Sequence, residues 1–233
     1  MTSDTPNPLL LIRKQRSHLL FILSKPKQAR ESDFLKWYQG AYRDAVVGIE
    51  NVLSLQHYEQ HPVDITRGRF APLPFRYLGL CEISVDGAQA AQNLLEAIER
   101  LHAEHGAAAA PAIWIYYPAS EKAGRAAAKR PSLLTLAFAN PVEGKEAEFR
   151  EWYATRHIRH ALNIPALVSG QCFLRTQFQR PGALEAGFHT IALYEQEGTP
   201  ESIIDSFNTI PASTFEFPSM DTVHFAESVY RPL

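Results

Sequence analysis

The stretches SHLLFILSKP (17–26) and SLLTLAFANP (132–141) decide the fold, because they are one pattern met twice in the same chain. With Ser17 set against Ser132, the register runs on without a gap. Glu31 falls on Glu146, Phe34 on Phe149, Trp37 on Trp152 and Tyr38 on Tyr153; further on, Ile49 falls on Ile164, Ser54 on Ser169 and Gln56 on Gln171. A paired Phe-x-x-Trp-Tyr is hard to obtain by chance. After a loop the pairing resumes slightly tighter, with FRYLGLCE (75–82) on FHTIALYE (188–195). An internal repeat of this length announces the architecture before any single element does.

Working outward, each half reads the same way. An apolar run of strand length (18–24, 133–139) ends at a proline and is followed by a helix (31–45, 144–162) with aromatics at helical spacing. A second strand comes next (52–59, 167–175), then a loop and a third strand (75–84, 187–195). A second helix (87–105, 199–209) and a last strand (112–117, 223–230) complete the half. The order β-α-β-β-α-β is the split βαβ unit of ferredoxin-like folds. The fold class expected is therefore α+β: two tandem ferredoxin-like modules at 17–119 and 132–233, after a tail at 1–16 and joined by a charged, alanine-rich linker at 120–131. Both helices of such a unit lie on one face of its antiparallel sheet, so the other face needs cover. A second copy in the same chain supplies it, which predicts an α/β barrel closed within one chain.

Composition bounds the function. The formal net charge is −2 with 45% hydrophobic and 21% charged residues, an ordinary soluble balance. No basic excess is present to neutralise phosphates, so nucleic acid is not an expected partner. Cys81 and Cys172 match no zinc or redox spacing, which fits a reduced, cytoplasmic protein. The apolar run 9–12 is too short for a signal sequence or a membrane span. No glycine-rich phosphate loop and no nucleophile elbow occur.

Chemistry concentrates in EFREWYATRHIRHALNIPALVSGQCFLR (148–175). On an α-helical wheel, Trp152, Tyr153, Arg156, His157 and His160 share the sector of Phe149, and Ile158 falls opposite. His157 stands one turn beyond Tyr153, so the two rings can touch. The same sector of the first half carries Tyr38, Tyr42 and Ala45, with Tyr42 in place of His157. The second half therefore holds the titratable groups. A histidine beside a tyrosine and an arginine can abstract a proton and stabilise the resulting anion. His157 could equally cap its helix, whose dipole favours a cation there. His189 sits on a strand near the barrel and could face a cavity; His57 and His61 read as loop residues, and the basic loop TRGRF (66–70) as solvated or as a guide for an anionic substrate. His157 and His160 could share a metal, but no motif supplies a third ligand, so no metal is expected.

A helix reading F-x-x-W-Y-x-x-x-H (Phe149, Trp152, Tyr153, His157), followed by a turn containing Pro165 and a strand, resembles the dimeric α/β-barrel superfamily, especially its EthD-like branch. The resemblance covers most of the second half and, more faintly, 17–59. It implies ferredoxin-like domains paired into a barrel around an apolar cavity. The superfamily includes cofactor-free monooxygenases, polyketide cyclases, muconolactone isomerases and haem enzymes of the chlorite dismutase type.

The resulting expectation is a cofactor-independent lyase, isomerase or cyclase acting on an aromatic or polyketide-like compound. His157, Tyr153 and Arg156 would be catalytic, and Trp152, His160, His189, Tyr42 and Tyr38 would contact the substrate. The alternatives are a non-catalytic, ligand-binding or stress-associated barrel, and a haem-binding one. The duplication supplies within the chain the partner that single-module relatives find by dimerising, so monomer and homodimer are both open.

Overall fold

An antiparallel sheet whose outer face carries helices exposes its inner face, and here each half answers the other. The computed structural model describes residues 18–125, 132–180, 187–208, 210 and 217–233. The first half holds β1 (His18–Ser24), α1 (Glu31–Gln39), α2 (Ala41–Val47), β2 (Val52–Gln60), β3 (Tyr77–Ile83), α3 (Ala88–Glu104) and β4 (Ala112–Pro118). A two-residue strand, β5 (Ala123–Gly124), precedes the second half. That half holds β6 (Leu133–Pro141), α4 (Glu146–Trp152), a π-helical turn (Tyr153–His157), α5 (Ile158–Ala161), β7 (Leu167–Arg175), β8 (Thr190–Gln196), α6 (Glu201–Phe207) and β9 (Met220–Pro232).

The described strands form one sheet in the order β4-β1-β3-β2-β9-β6-β8-β7-β5, and β4 also pairs with β7. That last pairing closes a ring and leaves β5 as a spur. The order within each half is the same, β4-β1-β3-β2 and β9-β6-β8-β7. The registers agree residue by residue as well. His18 pairs with Ile83 as Leu133 pairs with Gln196, and the β2–β3 and β7–β8 ladders both slip after their first pair, at Val52/Ser54 and Leu167/Ser169. Two seams join the halves: Tyr58, Glu59 and Gln60 against Pro232, Arg231 and Tyr230, and Tyr116, Tyr117 and Pro118 against Arg175, Leu174 and Phe173. Ring closure consumes the edges that an open sheet would present.

Strand alternation then sorts the side chains. Leu19, Phe21 and Leu23 of β1 point into the ring, as do Leu134, Leu136 and Phe138 of β6. Phe21 meets Phe138 edge-on across the ring (6.4 Å) and Tyr116 likewise (5.4 Å). Tyr116 is buried while its neighbour Tyr117 is exposed, as alternation at the strand end requires. The resemblance implied an apolar cavity enclosed by the barrel; these inward aromatics and leucines pack against one another around the ring's inner face. The linker also departs from expectation. Gly124 pairs with Ser169 of β7 at φ +124°, where a Cβ would lie 2.3 Å from the Val168 carbonyl oxygen, so only glycine fits. Lys122 pairs with the buried Glu195 at 2.8 Å. Residues 1–17 and 126–131, covering the expected tail and the rest of the linker, lie outside the described residues.

Outside the ring, α1, α2 and α3 cover the first half's sheet. The helix expected at 31–45 breaks at Gly40, and the one expected at 144–162 passes through the π turn at the corresponding place. His57, expected in a loop, is buried within β2 and stacks on Tyr38 at 3.9 Å. His102 of α3 is buried against the Ser24 hydroxyl (3.1 Å). Burial lowers both histidines, His57 to about 3 with help from Arg43 and His102 to about 4. Neutral in the fold and protonated when unfolded below about pH 6.5, they favour the fold above that pH and progressively less below it. The thermal midpoint should therefore fall as pH is lowered from 7 toward 4, and His57→Asn should flatten that slope; differential scanning calorimetry across the range checks both.

Candidate functional site

The second half differs from the first in what lies over its sheet. Among the described residues, α3 runs for 17 residues and α6 for 7. The residues beneath are smaller too. Leu20, Ile22, Tyr42 and Val46, all fully buried in the first half, are matched by Thr135, Ala137, His157 and Ala161. The result is a cavity of about 180 Å³ between the helices and the sheet. Thr135 and Ala137 of β6, Tyr194 of β8 and Glu227 of β9 form its floor, and His157, Ala161 and Ile164 a wall. Its roof comes from Ile203 of α6, Phe225, and the first half's loop through Ile65, Arg67 and Phe70.

That loop is TRGRF; it borders the cavity while Arg67, Gly68 and Arg69 are exposed to solvent, as expected. Asp64 organises it by accepting from the backbone N–H groups of Thr66 (2.8 Å) and Gly68 (2.6 Å). Arg67 takes the left-handed conformation at φ 55°, which costs a non-glycine residue about 1–2 kcal/mol. Its guanidinium is anchored across the halves, donating to the Ile204 carbonyl (3.2 Å) and to Asn208 Oδ1 (2.8 Å). Phe70 packs on Phe225 with ring centroids 4.5 Å apart.

The π turn sets the wall. Its i→i+5 bonding adds a residue to one turn and shifts the phase of the helix beyond it. The α-helical wheel therefore fails past Tyr153. Ile158, expected opposite the aromatic sector, is buried at 2% exposure, while Arg156, expected within it, is exposed. Arg156 does not line the cavity. His157 does: it is buried, stacked on Tyr153 at 4.5 Å with the rings 8° apart, and 4.9 Å from Trp152. Tyr153 is committed to structure, its hydroxyl donating to the Ala137 carbonyl at 3.3 Å. Trp152 stacks on Phe217 behind the wall. His160 is half-buried outside the cavity lining, and His189 is exposed beside Asn140. Tyr38 and Tyr42 lie in the first half's own aromatic stack, 5.3 Å apart, and do not reach this site.

Three polar residues of the floor, Glu227, Tyr194 and Thr135, were absent from the sequence-derived set. Glu227 lies opposite Ala137 in the β6–β9 ladder, with Ala226 pointing into the ring and Glu227 toward the cavity. Loss of hydration, and secondarily the negative charge of Asp64, push its carboxyl up to about 7. Tyr194 is 2% exposed, and its hydroxyl has no hydrogen-bond partner. Burial and then His160 lower His157 to about 3, so its imidazole is neutral at ordinary pH. Alternation in β8 and β9 was the one available signal for Glu227 and Tyr194, and it does not reveal which face holds a cavity. Among the described residues, no three His, Cys, Asp or Glu side chains converge to hold a metal, and no helix is long and apolar enough to cross a membrane.

No family model and no curated protein matches the chain. Solved structures do. An anthrone oxidase-like protein aligns at TM-score 0.62 and 7% identity, over 95% of this chain and 92% of its own. A candidate monooxygenase from Fusobacterium nucleatum aligns at 0.56 and 11%, over 95% and 94%. A mutant chlorite dismutase from Candidatus Nitrospira defluvii aligns at 0.54 and 10%, over 97% and 95%. At such identities the likeness shows the fold, that of ferredoxin-like α/β-barrel proteins.

If the small residues of the second half create the cavity, restoring a larger one should fill it. Ala137→Ile, the first half's residue, should abolish binding of toluene with little change in the thermal midpoint, as read by ligand-observed NMR and calorimetry.

Proposed function

We propose that this chain is a cofactor-independent, small-molecule enzyme in which Glu227 exchanges the proton, on a compact ring compound carrying an acidic C–H or O–H. One observation carries the reading: a half-buried carboxyl held near neutrality faces a mostly apolar cavity whose polar lining also includes Thr135, His157, Tyr194, Arg67 and Arg69. A general base works best with a pKa close to the operating pH, and burial of a carboxyl is the ordinary way to bring it there. His157, held neutral, serves as a hydrogen-bonding wall rather than as the proton carrier. Tyr153 fixes its ring by stacking. The reaction class is isomerisation, cyclisation or elimination, begun by deprotonation at Glu227 and completed when the protonated carboxyl returns the proton.

The cavity's size favours a small substrate. A dry cavity of about 150 Å³ accommodates benzene, so about 180 Å³ suits a single substituted ring or a fused pair. A haem does not fit. It is itself a drug-sized molecule, and pockets for such ligands run to roughly 300–1,000 Å³; one face of His157, moreover, is covered by Tyr153, with Trp152 tilted alongside. The same reading takes the chain as a tandem duplication, with modules at 17–119 and 132–233, of the EthD-like kind. The matched registers, matched ladder slips and repeated strand order support it. In this view the first module has become a support: its equivalent space is filled by Tyr38, Tyr42 and His57, and its loop roofs the second.

The test is exchange of α-protons from small ring ketones, 2-cyclohexenone through 1-indanone, in deuterated buffer, followed by proton NMR. The wild-type chain should accelerate exchange with an inflection near pH 7, and Glu227→Gln should lower the rate by about 10²–10⁴-fold. Equal, buffer-level rates for both would mark the chain as a binding barrel without catalysis.

A further inference from the structure

We infer that the Tyr194 hydroxyl selects and orients the compound in this cavity, so that its ligand is a small ring bearing an oxygen, a phenol or a ring ketone, rather than a bare hydrocarbon. The inference rests on the cavity being the ligand site and adds to it the group that recognises the ligand.

Tyr194 reaches the floor from β8, next to Glu227 on β9 and Thr135 on β6. The fold gives its hydroxyl nothing to bond. Thr135 donates to Gln196 Oε1 (2.9 Å) and the Tyr153 hydroxyl to the Ala137 carbonyl (3.3 Å). Glu227 does not reach it either. The Tyr42 and Tyr230 hydroxyls are likewise without a partner but sit in packed core, whereas Tyr194 lines a cavity, where a ligand atom can supply the missing partner. Burial and the nearby Glu227 raise this phenol well above 10, so it stays an O–H donor at working pH and its natural partner is a ligand oxygen.

A second, independent feature shows that the chain makes room for this ring. In the cross-strand neighbour, β7, stands Gly170, where a Cβ would lie 2.6 and 2.8 Å from Cδ1 and Cε1 of Tyr194. The first half has the opposite arrangement at the corresponding positions: Leu55 in place of Gly170 and Cys81 in place of Tyr194. Leu55 and Cys81 pack together in that half's core. A tyrosine therefore stands in the second half where the first has a small thiol, and its neighbour is pared to glycine to seat it. A ring placed only to fill space would need no such clearance, since Leu55 and Cys81 fill the same layer.

The experiment uses phenol and toluene, which differ by an oxygen in place of a methyl group, titrated by calorimetry into the full chain and into Tyr194→Phe and Gly170→Ala. A neutral hydrogen bond is worth roughly 2- to 12-fold in affinity. Phenol should bind Tyr194→Phe that much more weakly, with toluene unchanged. Gly170→Ala keeps the hydroxyl but displaces the ring, so it should lose the same preference. An unchanged phenol-to-toluene ratio in both variants, with both probes still binding, would overturn the role of Tyr194 and leave the cavity reading standing. Failure of both probes to bind the wild-type chain would instead overturn the cavity reading, and this inference with it.

Discussion

Two short antiparallel seams, β2 against β9 and β4 against β7, are what the rest of the molecule depends on. Each half is a sheet with helices on one side only. Alone, it would leave the inward face of Phe21, Leu80 and Tyr116, or of Leu136, Phe138 and Tyr230, in water. The seams bring those faces together, and the edges they use are the ones that an open sheet would leave unpaired. Charge reinforces one seam, where Glu59 accepts from both Arg231 and Arg76 at the junction. Because the inner layer is shared, neither half has a complete core of its own.

That sharing leaves the outer layers free to diverge. Once the ring is filled by both halves, the helix face of either can change without opening the common core. In the first half the space between helices and sheet is closed by Tyr38, Tyr42 and His57 in one stack, under a long α3. In the second, a set of smaller side chains opens the corresponding space, and the loop ordered by Asp64 roofs it from the other half. The cavity thus belongs to the second half in its floor and to both in its enclosure. Asp64 acts twice, as the acceptor that shapes the roof and as a negative charge helping to keep the Glu227 proton in place.

The π turn shows how one extra residue in a helix redistributes roles. An unbroken α-helix would have turned Arg156 inward beside His157 and left Ile158 in solvent. The turn at Tyr153–His157 reverses that pair and still keeps Tyr153 and His157 stacked. The first half interrupts its helix at the matching place, at Gly40, and keeps Tyr38 stacked on Tyr42. The stacking of residues four apart survives in both halves, whereas the identity of the charged neighbour does not.

By itself, the sequence determined the elements, their order and the pairing of the halves. Those come from apolar periodicity, from proline and glycine at element ends, and from a register repeated over dozens of positions, all local properties of a chain. It also singled out His157 and the aromatic sector behind it, because a polar residue on an apolar helix face stands out within a few turns. It did not determine the site. Glu227, Tyr194 and Thr135 come from three different strands, and only their order in the sheet makes them neighbours. Which face of each strand holds a cavity depends on the side chains packed over it and on a loop from the opposite half. Glu227 is half-buried, and its raised pKa depends on the partial loss of water that this enclosure causes. Contacts between distant segments decide such things, and their signal is spread over residues that look ordinary one at a time.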